Sequence, residues 1–555
     1  MKRLLFAAAF ACITDGARAA PYADSPVARA LRDELARSMD KLEMGGFGKP
    51  YFLSYSLYDA TRTYVTAALG ALATSQSAPA RSVYLDLRVG DYDFDNSNVV
   101  DAERASVALP AEDDYDLVRR ELWLATDRSY KRAVETLGRK RAVAKAETRS
   151  PDDEPPSFTK EVPSKITDER ALPPPDMKRL EALAKKLSAV FRANPDVHEG
   201  TATISGLAGK HYFVSSEGAS SVETGSYARL DLECHAQADD GMPLHATATI
   251  WAHAFDQLPP EAELIAQAEK LSKELSALRK APVIADYDGP VLFTGTAAGD
   301  VVRALLADEL GGTPAPKSDR PGGRGSESAL VGKVDRRILP PGTTLVDDPT
   351  IDRLGKAPLV GGGKFDDEGV PTQKVTLVEN GMFKRFLMSR APRAGYTHSN
   401  GHGTWTAHGT VRAAPANLLL SSSAGVSDAD LRRRAASAAR EQGLTYYLAV
   451  ERLEQRRYRG DITNPGEDLS LPRPALLRRI YLDGRQELVR GASFGTVPLK
   501  SLKDLLALGA TPTVITYQGR TLTSIAAPGL LFRDLDVKKP QGPQKQRPIA
   551  PRPPP

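Results

Sequence analysis

Between Gly361 and Ser389 the chain reads GGGKFDDEGVPTQKVTLVENGMFKRFLMS, and no other stretch restricts its fold so tightly. Gly361, Gly362 and Gly363 lead into the acids Asp366, Asp367 and Glu368, and Gly369 closes a turn because glycine tolerates positive φ. Past Pro371, residues alternate through Val375, Leu377 and Glu379 to Asn380-Gly381, the strongest short-range signal for a two-residue hairpin. The returning strand is expected over Met382 to Met388. A calcium loop alternates its oxygen ligands over about 12 residues. Three consecutive acids followed by proline do not, so a solvated turn is expected.

At 555 residues the chain exceeds a single core, and two to four domains are expected. A composition with 41% hydrophobic and 26% charged residues is that of a globular protein. The formal charge of +4 is too small to imply nucleic-acid binding. Lys2-Arg3, the apolar run Leu4 to Ile13 and Ala17-Arg18-Ala19 read as a signal peptide over residues 1–19, cleaved after Ala19 or Ala20. No later run approaches the ~20 apolar residues of a membrane span. The expectation is an exported protein, periplasmic or extracellular. Without that segment one cysteine is left, Cys234, which excludes a multi-cysteine zinc site.

The chain then alternates between elements. Residues 20–145 form an α+β unit: a helix capped by Ser25-Pro26, strand-like runs at 51–58, 62–72 and 81–89, and a long helix over 114–146. Residues 146–175 are proline-rich and aperiodic, a linker or long exposed connection. A second α+β unit spans 176–282, with strand-like runs at 210–215, 227–236 and 244–251. Helix, meander, helix thus occurs twice, a degenerate repeat or two lobes of one α+β domain. A large β-rich region follows over 283–537, with a hairpin at Asp483-Gly484 and helices expected at 428–441 and near 502–508. Residues 538–555 form a proline-rich, disordered or extended tail.

Within 283–537 several segments keep a common order: GPVLFTGTAAGDVVRALLADELGG, GKVDRRILPPGTTLVDDPTI, the opening stretch, SNGHG and LVRGASFG. DDEGVPTQ followed at once by LVENG resembles the TldD/PmbA family of zinc-metallopeptidase-type proteins, the modulator of DNA gyrase family. The meander containing YFVSSEG resembles its N-terminal half more weakly. The resemblance implies a TldD/PmbA-like α+β fold with a cleft, and proteolysis of unfolded peptides by active members. In those, HExxxH on a helix supplies two zinc-binding histidines and a glutamate that activates the metal-bound water, and a later cysteine completes the site.

Aligned by its flanking glycines, GDVVRALLADELGG puts Arg303 and Ala304 at the His-Glu pair and Asp308 at the second histidine. No cysteine or histidine lies between Ser493 and Val537. Arginine offers no lone pair and alanine no base, so no zinc or other cofactor is expected. The helix reads otherwise as structural: Asp300 as N-cap, Val301, Val302, Leu305, Leu306 and Leu310 on one apolar arc, and Glu309 exposed on a frayed last turn. A relocated site at His398, His402 and His408 stays open, although that loop is full of glycine and turn formers. Cys234 and His235 should point to opposite faces of a strand.

The resemblance therefore implies a family pseudoenzyme: a non-catalytic peptide-binding or partner subunit, in a homodimer or a heterodimer with a TldD/PmbA-type subunit. The alternative is an active peptidase with a relocated site. Candidate substrate contacts are Gly361, Gly362, Gly363, Asp366, Asp367, Glu368, Asn400, Gly401, His402 and Gly403. Of these, His402 is the foremost. Neither nucleic acid nor a transmembrane segment is expected.

Overall fold

A computed structural model describes residues 21–45, 48–99, 106–146, 155–317, 327–406, 409–454, 471–519 and 521–540. The segment expected to be a signal peptide, the tail beyond 540, His408 and residues 147–154 of the proline-rich connection lie outside the described residues.

In the N-terminal layer α1 (Pro26–Lys41) begins at Ser25, whose side chain accepts a hydrogen bond from Ala28 N. It is followed by β1 (Phe52–Ala68), β2 (Ala71–Arg88), β3 (Ser106–Ala108), α2 (Tyr115–Ala146), β4 (Thr167–Asp168), α3 (Met177–Arg192), β5 (Glu199–Ser215), β6 (Ser220–Gln237), β7 (Pro243–Ala252) and α4 (Glu261–Lys280). The strands of both α+β units make one seven-stranded sheet in the order β3-β2-β1-β5-β6-β4, with β7 also paired to β6. Period-2 alternation sorts its faces. Leu53, Tyr55 and Leu57 of β1 pack with α1 and α2, whereas Val65 and Ala67 pack with α3 and α4. All four helices therefore cover one face. The opposite face carries Ser54, Ser56 and Tyr58, with Arg62 and Tyr64 further along.

The sequence suggested three strands between 51 and 89, where the structure has two long ones. The turn falls at Leu69-Gly70, both at positive φ (49° and 91°). Leucine is rarely tolerated there, so no local signal marked it. Nor is the described part of the proline-rich segment a free connection. Phe158 is buried, Thr159 N donates to Arg390 O at 2.9 Å, and Ser164 Oγ donates to Gly369 O at 2.7 Å. Its apolar and hydroxyl residues dock it between the layers.

The C-terminal region runs β8 (Tyr287–Phe293), α5 (Thr296–Leu305), β9 (Thr343–Asp347), β10 (Arg353–Leu354), β11 (Ala357–Pro358), β12 (Val375–Glu379), β13 (Met382–Phe383), β14 (Gly403–Trp405), β15 (Val411–Ala413), β16 (Asn417–Ser422) and α6 (Asp428–Glu441). It ends with β17 (Tyr446–Leu453), β18 (Pro474–Tyr481), β19 (Gln486–Val489), β20 (Ser493–Phe494), β21 (Ala507–Gln518) and β22 (Leu522–Lys538). Eleven of these strands form a second sheet, with β22 and β8 central. The fold is thus α+β with a large β-rich C-terminal region. The Asn380-Gly381 turn joins β12 to β13, with φ of 49° and 78°. The return strand stops at Phe383, because Leu387 leaves the hairpin to bridge Gly311. The helix expected near 502–508 is a 3-10 turn at Leu499–Asp504, and Ala507 and Leu508 already pair with β22.

Candidate functional site

α5 lies against β17, β21 and β22. It starts earlier than the sequence suggested, with Gly295 as N-cap, so Asp300 sits inside the helix rather than capping it. Its carboxylate is buried, accepts a hydrogen bond from Tyr517 Oη at 2.7 Å, and is pushed up to about 7 by burial. The Arg303 guanidinium stands 4.5 Å over the Tyr517 ring. Ala304 and Asp308 are exposed. Surrounding protein raises the Asp308 carboxyl and Arg303 opposes this, but solvent screens an exposed acid and no stability follows from the shift.

Glu309 is not on a frayed, exposed turn. A 3-10 turn at Ala307–Glu309 tucks it inward, where its carboxylate accepts from Ala329 N at 2.5 Å and its carbonyl from Ser328 Oγ at 2.6 Å. This buried acid takes a backbone donor from the returning chain, which overcomes the unfavourable helix end.

The residue types here do not suit zinc. Arg303 has no lone pair, Ala304 has no donor atom, and Asp308 is a single carboxylate. Among the described residues no three His, Cys, Asp or Glu side chains gather in a metal-holding arrangement. His398 is exposed and turns its Nδ1 toward Glu161 at 3.5 Å, while His402 is enclosed. Cys234 is buried and its thiol faces Ala246 O, whereas His235 meets Glu233 at 2.9 Å on the other face.

The acidic turn departs from expectation most. Asp366, Asp367 and Glu368 are all buried, not solvated. Asp366 Oδ1 accepts from Glu368 N (3.0 Å) and Val370 N (2.9 Å), and its Oδ2 from Gly403 N (2.8 Å). Asp367 accepts from Tyr58 Oη and, at 2.7 Å, from Trp405 N. Glu368 accepts from Arg390 N at 2.6 Å and lies 3.9 Å from Arg88. Arg88 in turn holds Asp86 at 3.0 Å and Asp95 at 2.8 Å. Burial, then the neighbouring Glu368, holds the Asp366 carboxyl well above the usual carboxylate range. These acids plug the polar face of the first sheet. Beside them His211 stacks on Tyr58 (4.4 Å between ring centroids) and on Phe365 (4.7 Å), with Ser56 Oγ 2.8 Å from its Nε2.

The loop 400–403 closes over the same turn. Asn400 accepts from Met388 N at 2.7 Å and donates to Phe386 O at 3.0 Å. Gly401 has φ of +73°, and a Cβ there would lie 2.3 Å from Pro371 O. The His402 ring is fully enclosed, its Nε2 3.1 Å from Asp347 Oδ1. As the foremost substrate contact it is therefore corrected: it has no surface to offer. At Gly361 and Gly362 a Cβ would lie 2.1 and 2.2 Å from the carbonyls of Ala416 and Pro349. The ten candidates do converge, but mainly as an internal joint. Only Gly361, Gly362, Gly363 and Asn400 keep surface.

Sequence reasoning missed Tyr58, His211 and Tyr517, which reach Asp367, Ser56 and Asp300 across more than a hundred residues, and Arg88, which joins the nearby Asp86 and Asp95 to the remote Glu368. It also missed the uncovered half of the first sheet. There Arg62 and Tyr64 are exposed, and Tyr227, Arg229 and Trp251 are partly so. Gln518 at the tip of β21 bonds to both Tyr227 (2.9 Å) and Arg229 (2.8 Å) at the border of this face.

Residues 289–443 match the PmbA/TldA metallopeptidase C-terminal domain. A metalloprotease of Archaeoglobus fulgidus is 38% identical over 63 residues, 11% of this chain, and the chain spans only 13% of that relative's length. TldE from Thermococcus kodakarensis superposes with a TM-score of 0.60 at 16% identity, over 93% of this chain and 100% of that one. A candidate modulator of a DNA gyrase from Thermotoga maritima gives 0.61 at 16% identity, over 92% and 99%. At such identity the structural likeness concerns the fold. Residues 289–443 thus resemble the PmbA/TldD-type C-terminal domain, and the chain as a whole shares the fold of these two structures.

Proposed function

We propose that this protein is an exported, non-catalytic TldD/PmbA-type subunit that binds unfolded peptides, alone as a homodimer or paired with a second subunit of the family. The observation that carries this is the donor set on α5 and the 3-10 turn after it. Where active relatives are expected to place two imidazoles and a carboxylate base, Arg303 stacks on Tyr517, Ala304 contributes a methyl group, and Asp308 faces solvent. The half-open sheet face bearing Tyr64, Tyr227, Arg229 and Trp251 supports the binding role. Flat aromatic and guanidinium groups beside partly exposed threonines and serines accept extended chains of varied sequence. Affinity should be micromolar, since ordering the peptide offsets much of the contact energy.

Metal analysis of purified protein offered zinc should find less than about 0.1 ion per chain after dialysis. A labelled unstructured peptide should bind without being cleaved. Stoichiometric zinc, or hydrolysis lost on chelation, would overturn the non-catalytic assignment. Gly401→Val is unsuited to test the peptide site, because strain at that position would disrupt the joint itself. Export is tested separately by N-terminal sequencing from the native host, with Ala20 or Pro21 expected as the first residue.

A further inference from the structure

We propose that Arg393 and Arg412 form an oxyanion site that takes a carboxylate group. Both flank the extended segment after α5, where Gly312 N donates to Leu387 O at 2.8 Å and Thr313 Oγ1 accepts from Ala413 N at 2.8 Å. Arg393 is largely buried, its ring neighbour is Phe386 at 5.0 Å, and its Nη2 contacts Glu327 at 2.5 Å. Its Nη1 is enclosed and has no acceptor among the described residues. Arg412 is half-buried and, among the described residues, makes one long bond, from Nη2 to Thr313 O at 3.3 Å. Glu327 is the carboxylate that acts on both guanidiniums, and it also accepts from Ala315 N at 3.0 Å.

Among the described residues Glu327 pairs with Arg393 and acts on Arg412 only at longer range, leaving Arg412 a positive charge without a contacting carboxylate in a poorly solvated place. Burial and the neighbouring Arg393 both work against the charge on Arg412. A buried charge without a full partner is costly. A planar carboxylate reaching Arg412 from solvent would supply the missing acceptor with bidentate geometry. The same chemistry fits a free small acid or the C terminus of a peptide.

The test compares acetate with chloride at equal ionic strength by thermal shift, and a peptide free acid with its C-terminal amide by titration. Acetate should stabilise the wild-type protein beyond chloride. Arg412→Met should weaken acetate binding at least tenfold, Arg412→Lys should retain part of it, and Arg440→Met on α6 should leave it unchanged. A free-acid peptide that binds at least tenfold tighter than its amide, with the difference lost in Arg412→Met, identifies a peptide terminus as the source. An acetate response with no acid–amide difference identifies a small acid. If acetate and chloride act alike and the two peptides bind equally, the site is refuted. An undiminished acetate response in a folded Arg412→Met refutes it too. Failure of both peptides to bind while the acetate response persists would instead remove the peptide-binding function and leave the site in place.

Discussion

The acidic turn at 366–368 and the helix end at 303–308 place charge in opposite ways. In the turn, three successive acids are buried, and each accepts from backbone N–H groups, with Tyr58 adding to Asp367. On α5 and the 3-10 turn after it, Ala304 and Asp308 face water, and the buried acids are Asp300 under Tyr517 and Glu309 under Ala329 N. The first arrangement holds two layers together and tolerates little change. The second occupies the place where the family resemblance puts chemistry, and its residues can change with small structural effect. Acidity in a sequence therefore says little by itself: the number of donors that converge on a carboxylate decides whether it is a solvated turn or a structural joint.

The sharpest way to break this contrast is at Arg88, which is enclosed among Asp86, Asp95 and Glu368. Arg88→Met should cost about 3–5 kcal/mol, because it leaves buried carboxylates uncompensated. Denaturant unfolding measures it, and a loss below about 1 kcal/mol would mean that the joint is not the rigid partner in the comparison.

A smaller effect is expected at Asp300. Its folded carboxyl is raised from 3.8 to about 7 by burial, so the unfolded chain loses its proton first as pH rises. The contribution of protonated Asp300 is complete below about pH 4 and is lost as pH climbs through 7, by at most about 4 kcal/mol at 1.36 kcal/mol per unit. Asp300→Asn should flatten the fall in stability between pH 4 and 7. An unchanged slope would show that Asp300 is ionised throughout and that α5 buries a true charge.

The smallest effects belong to the open helix end. Asp308→Asn and Ala304→Ser should each change stability by no more than about 0.5 kcal/mol, as surface substitutions do. A loss above about 1 kcal/mol in thermal unfolding would place that end in a packed interface and erase the distinction.

Local features were legible where one residue type dictates one geometry. Ser25 caps α1, Asn380-Gly381 and Asp483-Gly484 turn their hairpins, and the apolar period of 428–441 gives α6. Leu69-Gly70 was not legible, since a leucine at positive φ is held by the strands around it. Glu309 and the three acids of the turn were misplaced for a shared reason. Their donors (Ala329 N, Gly403 N, Arg390 N, Tyr58 Oη) come from chain segments 20 to 309 residues away.

The amino-acid order alone thus determined the α+β class, the hairpins, the family resemblance and the absence of HExxxH, because each rests on residue identity at short spacing. Only the tertiary structure decided which charges are buried. It joined the two helix–meander units in one sheet and drew the acidic turn onto that sheet's polar face. It also enclosed His402 and set Arg393 beside Arg412. Desolvation and partner geometry govern these outcomes, and both depend on contacts between segments remote in sequence.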